Sequence, residues 1–160
     1  MTFSGGEYKF TTAPATEEYE ICGHLTAKLS ISLSEHKGEA TSDIDVFTAL
    51  RKLDKDGNEV WFTASTGEPT PVCFGWIRAS HRTLNPKPYP ELKEGALPFP
   101  VLSHKRSDRK DVRNGEICDL EFELWPTNLI VEKGERLVFE VGAKDPEGSA
   151  WFTCNDPLDR

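Results

Sequence analysis

The sequence lacks an apolar run approaching the roughly 20 residues that a membrane-spanning helix needs. It also lacks a basic stretch followed by an apolar one at its start, so neither a membrane anchor nor a secretory leader is expected. Positive charge is short. Nineteen Lys and Arg face 27 Asp and Glu, for a net charge of -8 and a pI near 5.0. Such a surface repels phosphate backbones and argues against nucleic acid as a partner. Hydrophobic residues make up only 37%, yet 10% are aromatic and short apolar runs recur, which separates this chain from disordered ones. At 160 residues it is long enough for one domain with a core of its own, and the reading is a single domain over 1–160.

Paired cysteines are absent as well. Cys22, Cys73, Cys118 and Cys154 stand far apart, with no Cys-x-x-Cys. They read as small buried thiols in a reducing compartment, with a disulfide or metal framework as the alternative, and the expected location is cytoplasmic. His24, His36, His81 and His104 show no ligand spacing. No metal and no cofactor is expected.

What is present is strand signal. Leu25, Ala27, Leu29, Ile31 and Leu33 alternate with Thr26, Lys28, Ser30 and Ser32, the period of a half-buried strand in an antiparallel sheet. Cys118, Leu120, Phe122 and Leu124 alternate in the same way with Asp119, Glu121 and Glu123. The runs 44–53, 72–77 and 137–141 are apolar on both faces and read as central strands. Turns with Gly57, Gly67 and Gly134 separate the runs, and no segment sustains a 3.6-residue period. The predicted class is all-β, a sandwich or jelly roll.

One stretch breaks this rhythm. From His81 to Val112 the chain holds Pro86, Pro88, Pro90, Pro98 and Pro100. A structureless loop of roughly 30 residues is uncommon in a compact domain. Tyr89, Leu92, Leu97, Phe99, Val101 and Leu102 offer anchors, so it reads as an ordered surface excursion with room for a short helical turn.

Catalytic chemistry is hard to find. There is no Gly-x-Ser-x-Gly elbow, and Gly148-Ser149-Ala150 lies in a turn-like segment. Ser80 and His81 are neighbours, and in an extended strand they point to opposite faces. Asp43 and Asp45 would share a strand face and suit calcium, but such a pair more often opens a strand at its solvent edge. The segment 52–57 resembles the start of a calcium loop without its closing Glu and reads as a hairpin. Trp61, Trp76, Trp125 and Trp151 read as core or interface packing, with a sugar-stacking platform as the alternative.

Three segments together resemble one family. Ser42 to Leu50 with the turn 55–58 is similar to its "thr-asp-x-asp-phe" strand and hairpin. Gly75 to Arg82, continuing to Asn85 and Pro86, resembles its most distinctive signature. Leu120 to Thr127, with Lys133 to Leu137, resembles a third, and Trp151 to Arg160 resembles the stretch before its closing strands. The family is the CocE/NonD hydrolases with the Xaa-Pro dipeptidyl-peptidase C-terminal domain, and the resemblance runs from about Thr16 to Arg160. It implies a jelly-roll sandwich of galactose-binding-like topology that follows an α/β-hydrolase domain holding the Ser-Asp-His triad. Members cleave esters, amides or Xaa-Pro peptides.

The departures matter. No hydrolase domain is in this sequence, so no triad residue carries over and no catalytic residue is assigned. Cys154 and Glu135 stand where the family often has His. The chain stops at Arg160, ahead of the final strands the resemblance implies, and a missing strand would leave an edge open to pairing. The expected role is docking on the catalytic domain, with Trp76, Arg78, His81, Arg82 and Trp125 as candidate interface residues. Guanidinium forks suit carboxylates across an interface, although Trp76 and Arg78 could equally brace the sandwich internally. A stand-alone carbohydrate-binding module and an oligomerising interaction domain are the alternatives.

Overall fold

Alternation of apolar and polar residues sets the strands of this chain. The structure, a computed structural model, describes residues 6–34, 43–94 and 96–145. His36, Ser42, Cys154, the 148–150 turn and the segment from Trp151 to Arg160 lie outside the described residues. The strands are β1 (Glu7–Thr11), β2 (Tyr19–Ser32), β3 (Asp45–Leu53), β4 (Glu59–Val60) and β5 (Phe62–Thr63). They continue with β6 (Pro69–Thr70), β7 (Cys73–Arg78), β8 (Ile117–Val131) and β9 (Arg136–Gly142). Two single 3-10 turns, Ala79–His81 and Arg106–Asp108, are the helical content of the described residues. The all-β class read from the sequence holds.

The chain packs as two compact units. Of the described residues, the first takes 6–25, 47–75 and 124–145. Its strands belong to a sheet of order β1-β9-β3-β4, in which β7 also pairs with β3. Both pairings of β9 are antiparallel: Glu7 to Thr11 run opposite Gly142 to Val138, and Phe47 to Leu53 run opposite Gly142 to Arg136. As the two-sided pattern of 44–53 predicts, Val46, Phe47, Thr48 and Ala49 are all buried. Thr48 is tolerated there because its hydroxyl donates to the Gly75 carbonyl at 3.0 Å. Leu129, Val131 and Leu137 form a core cluster with Ile21, Leu50, Phe62 and Val72 packed against it.

Turn chemistry closes this unit's hairpin. The Asp54 amide donates to the Asn58 carbonyl at 2.9 Å, and the Asp54 carboxylate accepts from the amides of Asp56 and Asn58. Gly57 takes φ +89°, where a β-carbon would be strained. The hairpin reading of 52–57 is therefore the right one.

Of the described residues, the second unit takes 26–34, 43–46, 76–94 and 96–123. Here β2 lies against β8. Lys28 pairs with Glu121 at 3.1 Å and the Ser30 hydroxyl donates to Asp119 at 2.6 Å. One partner number rises as the other falls, the signature of antiparallel pairing. Ala27, Leu33, Cys118, Leu120 and Phe122 face inward, and Phe122 is only 1% exposed. Burying such a ring stabilises by about 1.5–3 kcal/mol.

The proline-rich excursion is ordered by a neck. Leu84 bridges Leu102, the Asn85 amide donates to the Val101 carbonyl at 2.7 Å, and the Ser103 amide to the Thr83 carbonyl at 2.8 Å. The expected helical turn is Arg106–Asp108. Four readings need correction. Tyr89 is 51% exposed, so it is not the buried anchor expected of it. Cys22 is exposed, because it falls on the outward face of β2. The run 72–77 is fully covered on one face only; along Cys73–Arg78 buried residues alternate with half-buried ones. The strand also ends at Arg78, so Ser80 and His81 sit in a 3-10 turn rather than an extended run, and Ser80 turns inward off the face of Trp76 and Arg78.

Candidate functional site

Trp125 belongs to the first unit; Trp76, Arg78, His81 and Arg82 belong to the second. Trp125 is 53% exposed, with its ring centroid 4.7 Å from that of Phe74 and tilted by 35°. A large aromatic left in water while braced by a neighbouring ring is a ready contact residue. Trp61, also read as core or interface, is exposed and lies under the Arg51 guanidinium at 5.4 Å. Trp76 and His81 are half-buried.

The two arginine forks face inward. Arg78 donates from Nε and Nη2 to both oxygens of Asp45, at 2.8 and 2.7 Å. Arg82 reaches three backbone carbonyls: Ala79 at 2.9 Å, Lys110 at 3.2 Å and Asp111 at 3.2 Å. Arg82 thus ties the far end of the excursion to the turn where it begins.

Asp43 anchors the same turn. Its Oδ1 accepts from the amides of Ile44 and Ser80 at 2.9 and 3.0 Å, and its Oδ2 lies 3.6 Å from Arg109. With Asp43 turned inward and Asp45 gripped by Arg78, the two carboxylates do not converge on a cation. Among the described residues no group of three His, Cys, Asp or Glu is arranged for a metal. The Ser80 hydroxyl is buried without a hydrogen-bond partner, so no base serves it.

Sequence reasoning passed over the segment behind these anchors. Lys105, Arg106, Arg109, Lys110 and Arg113 are all exposed. The Lys110 amide donates to the Ser80 carbonyl at 2.9 Å and the Thr83 hydroxyl to the Asp108 carbonyl at 2.6 Å. The Ser103 and Ser107 hydroxyls both donate to the Asp108 carboxylate and hold its pKa below the usual range. Five cations in nine positions of an acidic chain was the available signal. The excursion itself lines a cavity of about 340 Å³ through Leu84, Pro88, Leu92, Leu97 and Phe99, together with Thr26 and Glu121.

Comparison with known proteins fits this arrangement of strands. The family model of the X-Pro dipeptidyl-peptidase C-terminal non-catalytic domain matches residues 4–160. The chain belongs to that family. A CocE/NonD family hydrolase of Staphylococcus aureus superposes on this X-Pro dipeptidyl-peptidase C-terminal domain with a TM-score of 0.76 and 26% identity, over 90% of this chain and 24% of that one. An archaeal aminopeptidase from a marine-sediment Thaumarchaeota, at 16% identity and a TM-score of 0.53, shares the fold over 92% of this chain. A Mycobacterium bovis protein bearing a serine esterase name is 27% identical over 138 residues, 85% of this chain. The chain spans 18% of the length of that relative.

Glu135 has partners of its own. It is 2.7 Å from Lys52 and accepts the Glu132 amide at 2.7 Å. Burial pushes its carboxyl up, but the Lys52 ammonium and the Glu132 amide outweigh that and hold its pKa below the ordinary value. The Cys73 thiol, with burial unopposed, is pushed up to about 12.

Proposed function

We propose that this chain is the non-catalytic C-terminal β-sandwich of a CocE/NonD-type serine hydrolase, of the Xaa-Pro dipeptidyl-peptidase or acyl-esterase kind. It docks on the α/β-hydrolase domain and helps wall the substrate cleft. The observation that carries this reading is the family match over residues 4–160, in a domain that fills only 24% of the Staphylococcus aureus hydrolase it superposes on. The jelly-roll, galactose-binding-like topology, the single domain over 1–160 and a cytoplasmic setting belong to the same proposal. Within it, Trp125 in the first unit and, separately, Trp76 and His81 in the second supply contact residues, while Arg78 and Arg82 hold the turn Ala79–His81 in shape. A preformed surface lowers the ordering cost of docking.

The test is made on the native protein. A lysate of the source cells is labelled with a fluorophosphonate probe, and this sequence is located by antibody and mass spectrometry. Peptides in a labelled band far larger than 17.9 kDa support the reading. Peptides confined to an unlabelled band near 17.9 kDa, with no labelled partner, defeat it and turn attention to sugar binding through the exposed Trp61 and Trp125.

A further inference from the structure

We infer that the basic loop 105–113 is the ionic part of the docking face and meets an acidic patch on the hydrolase domain; this rests on the proposed function above. Nine residues hold five cations against Asp108 and Asp111, a local charge of +3 in a chain of net -8. Most cations on the strands already have carboxylates: Lys9 and Arg51 with Glu140, Lys28 with Glu121, Lys52 with Glu135, Arg78 with Asp45. Lys105, Arg106, Lys110 and Arg113 have no side-chain ion pair among the described residues. Asp108 within the loop accepts from Ser103 and Ser107 and attracts Lys105 without a direct ion pair.

The loop is also held from behind. Arg82 binds the Lys110 and Asp111 carbonyls, Ser80 accepts the Lys110 amide, Thr83 binds the Asp108 carbonyl, and buried Asp43 faces Arg109. His104 enters it at φ +53°, a conformation uncommon for a residue with a β-carbon. A fixed backbone that shows free cations pays little ordering entropy when it meets an anionic surface, and it steers the approach. A protein surface fits better than a nucleic acid. Outside the loop the chain carries a net -11 (the -8 total less the loop's +3), which would oppose a phosphate backbone, and 105–113 contains no aromatic for bases to stack on.

Lysine acetylation of the full-length hydrolase, read residue by residue by mass spectrometry, tests this. Lys105 and Lys110 should react at roughly one-tenth the rate of exposed Lys87, Lys93, Lys133 and Lys144 in low salt, and approach them in 1 M NaCl. The variant R106E/R113E keeps both reporting lysines and should raise their rates toward that of Lys87. Equal rates in the wild-type hydrolase overturn the inference. So does protection that appears only on adding duplex DNA, or that rises with protein concentration and so marks a second copy. The same peptides show whether the chain resides in a hydrolase at all, which separates failure of the proposed function from failure of the loop assignment.

Discussion

Arg78 and Asp45 face each other across β7 and β3 in a fork-to-fork pair, with two hydrogen bonds at 2.8 and 2.7 Å. Arg78 ends β7 and Asp45 opens β3, so the pair pins the strand ends beside the start of the excursion. The Arg78 side chain is 17% exposed, which limits solvent screening. Arg78→Ala should therefore destabilise the chain itself by about 1–3 kcal/mol. Asp45→Asn should cost less, and the double variant less than the sum, since each single change breaks the same bonds. Urea melts of the four proteins check it; strict additivity would show that the pair contributes nothing.

The deepest ion cluster lies in the first unit. Arg51 donates to Glu140 at 2.8 Å and to Glu59 at 2.6 Å, with Lys9 3.2 Å from Glu140. Glu140 is 3% exposed, so removing Arg51 leaves a buried carboxylate with the half-exposed Lys9 as its remaining cation in this cluster. Arg51→Ala should cost about 3–5 kcal/mol, and adding Glu140→Gln should restore part of the loss by removing the stranded charge. Melting temperatures in matched buffer decide it, and no recovery in the double variant would refute the burial argument.

The strands were legible in the sequence where one face is wet. Ala27 to Leu33 and Cys118 to Leu124 announce their faces by strict period two, because each residue meets either core or water. The site was less legible. For Arg82 the sequence suggests an outward fork, and for Arg78 it leaves an outward and an internal role equally open, because charge alone does not reveal a partner: Asp45 lies 33 residues away, and the carbonyls that Arg82 binds belong to a loop without periodicity. Ser80 was misplaced for a related reason. Nothing in Ala79-Ser80-His81 signals that the strand stops at Arg78; the amide-to-Asp43 bond stops it, and that bond is tertiary.

Acid should weaken the fold through Glu135. Its pKa lies below the ordinary 4.5 in the folded chain, so its pairing with Lys52 contributes fully above that value and is lost as pH falls through the folded value. Asp54, held low by Asn58 and nearby amides, and Asp108, held low by Ser103, act in the same direction. Stability followed from pH 7 to pH 3 should fall below about pH 4.5, and Glu135→Gln should flatten the fall while lowering the plateau. An unchanged acid limb in the variant would remove Glu135 from the account.

The cysteines should divide by position and not by number. Cys73 is 4% exposed with its pKa pushed up to about 12, and Cys118 is 2% exposed, while Cys22 faces solvent on β2. The thiolate is the reacting form, and at pH 8 only about one Cys73 thiol in ten thousand carries it. Iodoacetamide on the native chain should alkylate Cys22 within minutes and leave Cys73 and Cys118 intact; in 6 M guanidinium all four cysteines, Cys154 included, should react. Peptide mapping reads each site separately. Because Cys73 lies on β7 next to Phe74, the ring that braces Trp125, its slow labelling also reports how often that strand opens. Prompt labelling of Cys73 in the native chain would mean that β7 opens freely, and a face built on Phe74 and Trp125 would then lack the rigidity that docking needs.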